Sequence, residues 1–96
     1  MNIIFFSKGP RGYRCLDYII NRGFEVKAVV GVQEEEDLSN FLKRYNVPVI
    51  IPDIVNTEDF AQKLKGLDPD LFVLSGYNKI LRPIIFDIPP LGTINL

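Results

Sequence analysis

The chain reads as an α/β domain, an open and mainly parallel sheet of about five strands with helices on both faces. Three observations predict it. Ile3-Ile4-Phe5-Phe6 and Leu71-Phe72-Val73-Leu74 are unbroken apolar runs, as expected of strands covered on both faces. Leu38, Phe41, Leu42 and Tyr45 fall at i, i+3, i+4 and i+7, the single apolar stripe of a surface helix. Segments of the two kinds alternate along the chain, the order that builds parallel sheets.

Each element follows from its own residues. The first strand, Ile3 to Phe6, stops where Gly and Pro gather in Ser7-Lys8-Gly9-Pro10-Arg11-Gly12. A helix is expected over about Tyr13 to Arg22, with Cys15, Leu16, Ile19 and Ile20 on one face. Gly23 can end it in the left-handed conformation. Phe24 to Val32 carries Val26, Ala28, Val29 and Val30 and forms a second strand. Glu34-Glu35-Glu36-Asp37 then places acidic groups where they favour a helix dipole, and the Leu38 to Tyr45 stripe follows. Val47 to Ile51 is a short third strand, and its Pro48 suits a sheet edge. Asn56 is expected to cap a third helix whose Phe60, Ala61 and Leu64 face inward, with Gly66 near its end. Asp68-Pro69-Asp70 turns into the Leu71 strand, which Ser75-Gly76 stops. The short stretch Ile84-Ile85-Phe86 and the pair Pro89-Pro90 lead to a last strand, Gly92 to Leu96.

Composition narrows the function. Ninety-six residues, 47% apolar and 24% charged, suit one globular domain. Eleven basic against twelve acidic residues leave a net charge of −1, so nothing electrostatic favours a nucleic-acid partner. No apolar run approaches the ~20 residues of a membrane span, and Met1 to Phe6 has no basic start of a secretory signal. Cys15 is the single cysteine and histidine is absent, which excludes an internal disulfide, a zinc site and thiol–imidazole chemistry in this chain. A cytoplasmic protein is expected. Cys15, Tyr18 and Tyr45 read as packing residues.

Three stretches could carry chemistry. Ser7 to Gly12 joins a strand to a helix, where exposed amides can hold an anion and Lys8 and Arg11 add charge; an ordinary strand–helix turn has the same look. A dinucleotide site is disfavoured, because only Gly9 and Gly12 of the three-glycine fingerprint are present, although Glu34 stands about 20 residues on. Tyr77, Asn78, Lys79, Ile80 and Leu81 leave a buried strand through Gly76, so their backbone could read the edge of a flat heterocycle or merely cover the sheet. Asn95 puts a neutral amide at a strand's carboxyl end, where it could donate to an oxygen turning anionic in acyl transfer, or simply end the strand.

Asp68-Pro69-Asp70-Leu71-Phe72-Val73-Leu74-Ser75-Gly76-Tyr77-Asn78-Lys79-Ile80-Leu81, with Pro90-Leu91-Gly92-Thr93-Ile94-Asn95-Leu96, resembles the N-terminal domain of the folate-dependent formyltransferases, a Rossmann-like fold. The resemblance extends weakly to Ile3-Ile4-Phe5-Phe6 and the loop after it. It implies transfer of a formyl group from 10-formyltetrahydrofolate to a small-molecule amine. Tyr77 to Leu81 would line the folate pocket, Ser7, Lys8, Gly9, Arg11 and Gly12 would meet the acceptor, and Asn95 would be the catalytic Asn. The acceptor loop suggests a nucleotide-linked amino sugar. The family's motif continues as Asn-x-His and brings an Asp further on, whereas Leu96 closes this sequence. Residues 1–96 are therefore expected to be a domain incomplete at its C-terminus and inactive alone, since each missing proton-moving group should cost about 10²–10⁴-fold. A folate- or nucleotide-binding module without catalysis and a formyltetrahydrofolate hydrolase are the alternatives. The bare apolar last strand is expected to promote self-association.

Overall fold

A computed structural model describes residues 1–9 and 11–96; Pro10 and the Arg11 side chain lie outside the described residues. Strands β1 (Asn2–Ser7), β2 (Glu25–Val30), β3 (Val49–Ile50), β4 (Leu71–Ser75) and β5 (Thr93–Asn95) alternate with helices α1 (Arg11–Asn21), α2 (Glu36–Lys43), α3 (Glu58–Lys65) and α4 (Pro83–Phe86). The strands form one sheet in the order β3-β2-β1-β4-β5, and every pair is parallel. The expected Rossmann-like architecture is the observed one.

The apolar runs are covered on both faces because successive side chains of a strand point to opposite sides. Ile4, Phe6, Phe72 and Leu74 pack with Phe60, Ala61 and Leu64 of α3 and Ile85 of α4. Ile3, Phe5 and Val73 point the other way, toward Leu16 of α1 and Leu38 and Leu42 of α2. β3 is short and takes one edge of the sheet, as Pro48 suggested. β5 takes the other edge, with Ile94 and Leu96 exposed beside it.

A glycine follows one helix and a threonine caps another. Gly23 follows α1 at φ +86°, the left-handed conformation expected of it. The cap of α3 differs from expectation by one residue: Thr57 holds the position, and its Oγ1 accepts the Phe60 N–H at 3.2 Å. Asn56 precedes the cap, which leaves its amide free for another task.

Candidate functional site

The sheet order reverses between β1 and β4, which makes their carboxyl ends the switch point where open α/β sheets bind ligands. Ser7 and Ser75 are register partners there, and both are buried. Two glycines let the loops after these strands close on each other. A Cβ on Gly12 would collide with the Ser7 hydroxyl and lie 3.3 Å from the Ser75 carbonyl oxygen; one on Gly76, at φ +70°, would lie 3.2 Å from the Lys8 carbonyl oxygen. Gly12→Ala should therefore destabilise the domain by about 1–3 kcal/mol through overpacking, read by urea denaturation.

The loop of Ser7 to Gly12 has an internal partner. The carboxylate of Glu35, in the turn before α2, accepts the Gly9 N–H at 3.0 Å. The acidic run expected at a helix start thus divides its work: Glu36 and Asp37 lie in the first turn of α2, while Glu35 reaches across to Gly9. Burial, then the charges of Glu35 and Asp37, push the Tyr13 phenol above its ordinary pKa. Ser7 Oγ is buried and has no hydrogen-bond partner among the described residues.

Tyr77 to Leu81 and Asn95 come together. A cleft of about 570 Å³ is lined by Tyr77, Lys79, Ile80, Leu81, Phe86 and Asn95, among others, and Asn78 also borders it. Its floor is β4, where Leu74 pairs with Asn95 and accepts the Leu96 N–H at 2.8 Å. Thr93 ties β5 to α4 by donating its hydroxyl to the Phe86 carbonyl at 2.8 Å. Asn95 itself is exposed. Among the described residues, none of Ser7 to Gly12 borders this cleft; that loop nears the end of β4 where Gly76 approaches Lys8 and Gly12 approaches Ser75. Phe86 and Thr93, absent from the sequence-based site, complete the wall. Nothing local in the sequence marks them, because both reach the cleft through the packing of α4 on β5.

Two other cavities lie at the same end of the sheet. One of about 390 Å³ sits on the far side of the 77–81 loop, between Val32, Ile54, Asn56, Tyr77 and Ile80. The largest, about 800 Å³, lies between α2 and β3 and is bordered by Glu34, Glu35 and Glu36. Its rim carries three glutamates beside Gln33, Asn40 and Lys43, whereas the smaller cleft brings Asn95 and the 77–81 loop together. Among the described residues, no group of three or more His, Cys, Asp or Glu could hold a metal ion, and no helix is long and apolar enough to cross a membrane.

Tyr77 anchors its loop by setting its ring edge-on to Phe6, with centroids 5.4 Å apart at 72°. Burial raises its phenol pKa above the ordinary value of about 10. The folded chain therefore keeps the proton longer than the unfolded one. The resulting stability is whole below pH ~10 and is lost as pH rises through the folded-state pKa. Tyr77→Phe should flatten the alkaline arm of a denaturation series, measured between pH 9 and 11.5 against phenolate absorbance.

No family model matches the chain. Solved formyltransferases share this fold along nearly the whole of the chain. Phosphoribosylglycinamide formyltransferase from Bacillus halodurans superposes with a TM-score of 0.78 at 20% identity, covering 99% of this chain and 55% of that one. The enzyme of the same name from Campylobacter jejuni gives 0.75 at 20% identity, over 99% and 56%. In sequence the particular likeness is to methionyl-tRNA formyltransferases. That of Ruminiclostridium cellulolyticum is 29% identical over 106 aligned residues, taking in 100% of this chain and 34% of the relative; that of Chloroflexus aggregans is 28% identical over 109, with the same shares. The chain spans about a third of the length of these curated relatives. The resemblance to a formyltransferase N-terminal domain, carried by residues 68–96, is borne out across the full chain.

Proposed function

We propose that this chain is the N-terminal part of an enzyme that moves a formyl group from 10-formyltetrahydrofolate to an amine. The observation that carries the reading is one cleft bordered by both Tyr77 to Leu81 and Asn95. Its size and lining fit a flat heterocycle: Ile80, Leu81 and Phe86 supply apolar groups, and Asn78, Thr93 and Asn95 supply polar ones. When bound, the folate would supply the formyl carbon: the amine's new bond to that carbon replaces its bond to the folate nitrogen, and tetrahydrofolate leaves with the proton the amine gives up. Backbone groups of residues 77–81 read the pterin edge, and Asn95 donates from Nδ2 to the formyl oxygen as it turns anionic. Ser7, Lys8, Gly9, Arg11 and Gly12 meet the acceptor on the neighbouring side of the switch point.

The named relatives are formyltransferases for methionyl-tRNA and for phosphoribosylglycinamide, so an amine acceptor is the common element. A nucleotide-linked amino sugar, suggested by the Ser7 to Gly12 loop, gains no support from them. A cytoplasmic location accords with this chemistry.

The test is a titration of the ¹⁵N-labelled chain with 10-formyl-5,8-dideazafolate, a stable analogue. Amide shifts confined to residues 77–81 and the Asn95 side chain are expected. Shifts centred on the acidic cavity, or none at millimolar ligand, would refute the reading. The β5 edge, with Ile94 and Leu96 exposed, should also draw copies together. Sedimentation at micromolar concentration should show a dimer or larger species, and a clean monomer counts against it.

A further inference from the structure

We infer that Asn56 is the positioning residue that holds the 77–81 loop in its ligand-reading shape, an inference that rests on the formyl-folate reading of the cleft. Asn56 Nδ2 donates to the Ile80 carbonyl at 2.8 Å, and Asn56 Oδ1 accepts the Arg82 N–H at 2.8 Å. One side-chain amide thus meets an acceptor and a donor two residues apart, the pattern a neighbouring strand would offer. Little in the loop's own backbone holds it. Among the described residues, no backbone–backbone hydrogen bond outside regular elements reaches residues 77–81. The other anchors are side chains: the Tyr77 ring lies against Phe6 at the opposite end of the loop, and Leu81 packs on the core beside the clamp. Ile80, between the clefts on the two sides, is 84% exposed.

Asn56 sits between the buried Val55 and the Thr57 cap. It precedes α3, whose Phe60, Ala61 and Leu64 are locked in the core, and Thr57 has taken over the capping duty. Pinning Ile80 and Arg82 from outside leaves the remaining backbone groups of the loop to the ligand. Residue chemistry at position 56 is narrowly set. An aspartate has acceptors for the Arg82 N–H, but when ionised it has no donor and sets its charge against the Ile80 carbonyl. An alanine removes both bonds. A loop that samples its competent shape only part of the time binds more weakly in proportion to that fraction.

The experiment uses the 96-residue chain, its Asn56→Ala and Asn56→Asp variants, and 5-formyltetrahydrofolate as probe. Amide hydrogen exchange, ¹⁵N relaxation and NMR-detected affinity are measured on each. In Asn56→Ala the Arg82 amide should exchange about tenfold faster and 5-formyltetrahydrofolate should bind about tenfold more weakly, while core amides such as Phe5 and Val73 keep their protection. Asn56→Asp should restore Arg82 protection but only part of the affinity. Unchanged exchange and affinity in Asn56→Ala overturn the inference, and so does a loss of protection throughout the core in both variants, which would make Asn56 a general structural residue. If the unaltered chain does not bind 5-formyltetrahydrofolate, the formyl-folate reading fails and the positioning role toward it falls. The Arg82 exchange rate still decides whether the clamp exists.

Discussion

Replacing Asn95 with alanine should lower formyl transfer about 10²–10³-fold, the loss typical of removing one donor to a developing oxyanion. The measurement needs a transferring polypeptide, made by putting residues 1–96 in place of the first third of the Ruminiclostridium cellulolyticum relative. Single-turnover formation of formylated product in that graft is compared with its Asn95→Ala form. Asn95 ends β5 at the cleft rim, where the pairing of Leu74 with it and the Leu96 N–H bond to Leu74 fix this end of the strand without the Asn95 side chain. The side chain is exposed, so its removal should change stability by no more than about 0.5 kcal/mol. Asn95→Asp gives a sharper contrast. It preserves size and shape but offers no donor when ionised, and it should lose at least as much activity. Equal rates for the graft and its Asn95→Ala form would remove Asn95 from the chemistry.

Phe72→Ala should cost about 3–5 kcal/mol of folding free energy, the largest stability effect expected from a single change here. Phe72 has no exposed surface, and its ring centroid lies 5.0 Å from that of Phe6. It sits in β4, which pairs with β1 on one side and β5 on the other, so the cavity opens on an interior strand of the sheet. Domains of this size are stable by about 5–15 kcal/mol, so the variant stands close to unfolding. The damage should also reach the site, since Phe6 stands between Phe72 and the Tyr77 ring that anchors the cleft loop. Ile94→Ala, on an exposed edge position of β5, provides the contrast and should cost under about 1 kcal/mol. Urea denaturation followed by far-ultraviolet circular dichroism separates the two. A cost below 1 kcal/mol for Phe72→Ala would contradict the packing described.

Much of this was legible in the residues because it depends on short-range pattern. Unbroken apolar runs at Ile3 to Phe6 and Leu71 to Leu74 announced strands covered on both faces, Pro48 announced an edge, and Gly23 a helix end. The β4 loop and Asn95 were legible as separate stretches, and the parallel sheet brings them to one cleft. What escaped was long-range pairing. Asn56 had the right chemistry for a cap, but Thr57 beside it has the same capacity. Only the fold reveals that the loop 24 residues on needs the amide more. Glu35 is one of four consecutive acids, and its bond to Gly9, 26 residues away, has no local signature. Phe86 and Thr93 are ordinary residues whose place in the cleft wall follows from α4 lying on β5.

The most direct test of the central claim is where a bound formyl group lies. With ¹³C-formyl-labelled 5-formyltetrahydrofolate saturating the chain, isotope-edited NMR should show nuclear Overhauser contacts from the formyl proton to the Asn95 side-chain amide. The pterin should give contacts to residues 77–81. Formyl contacts to the Glu34 to Glu36 cavity, or a saturated complex with none to Asn95, would contradict the account.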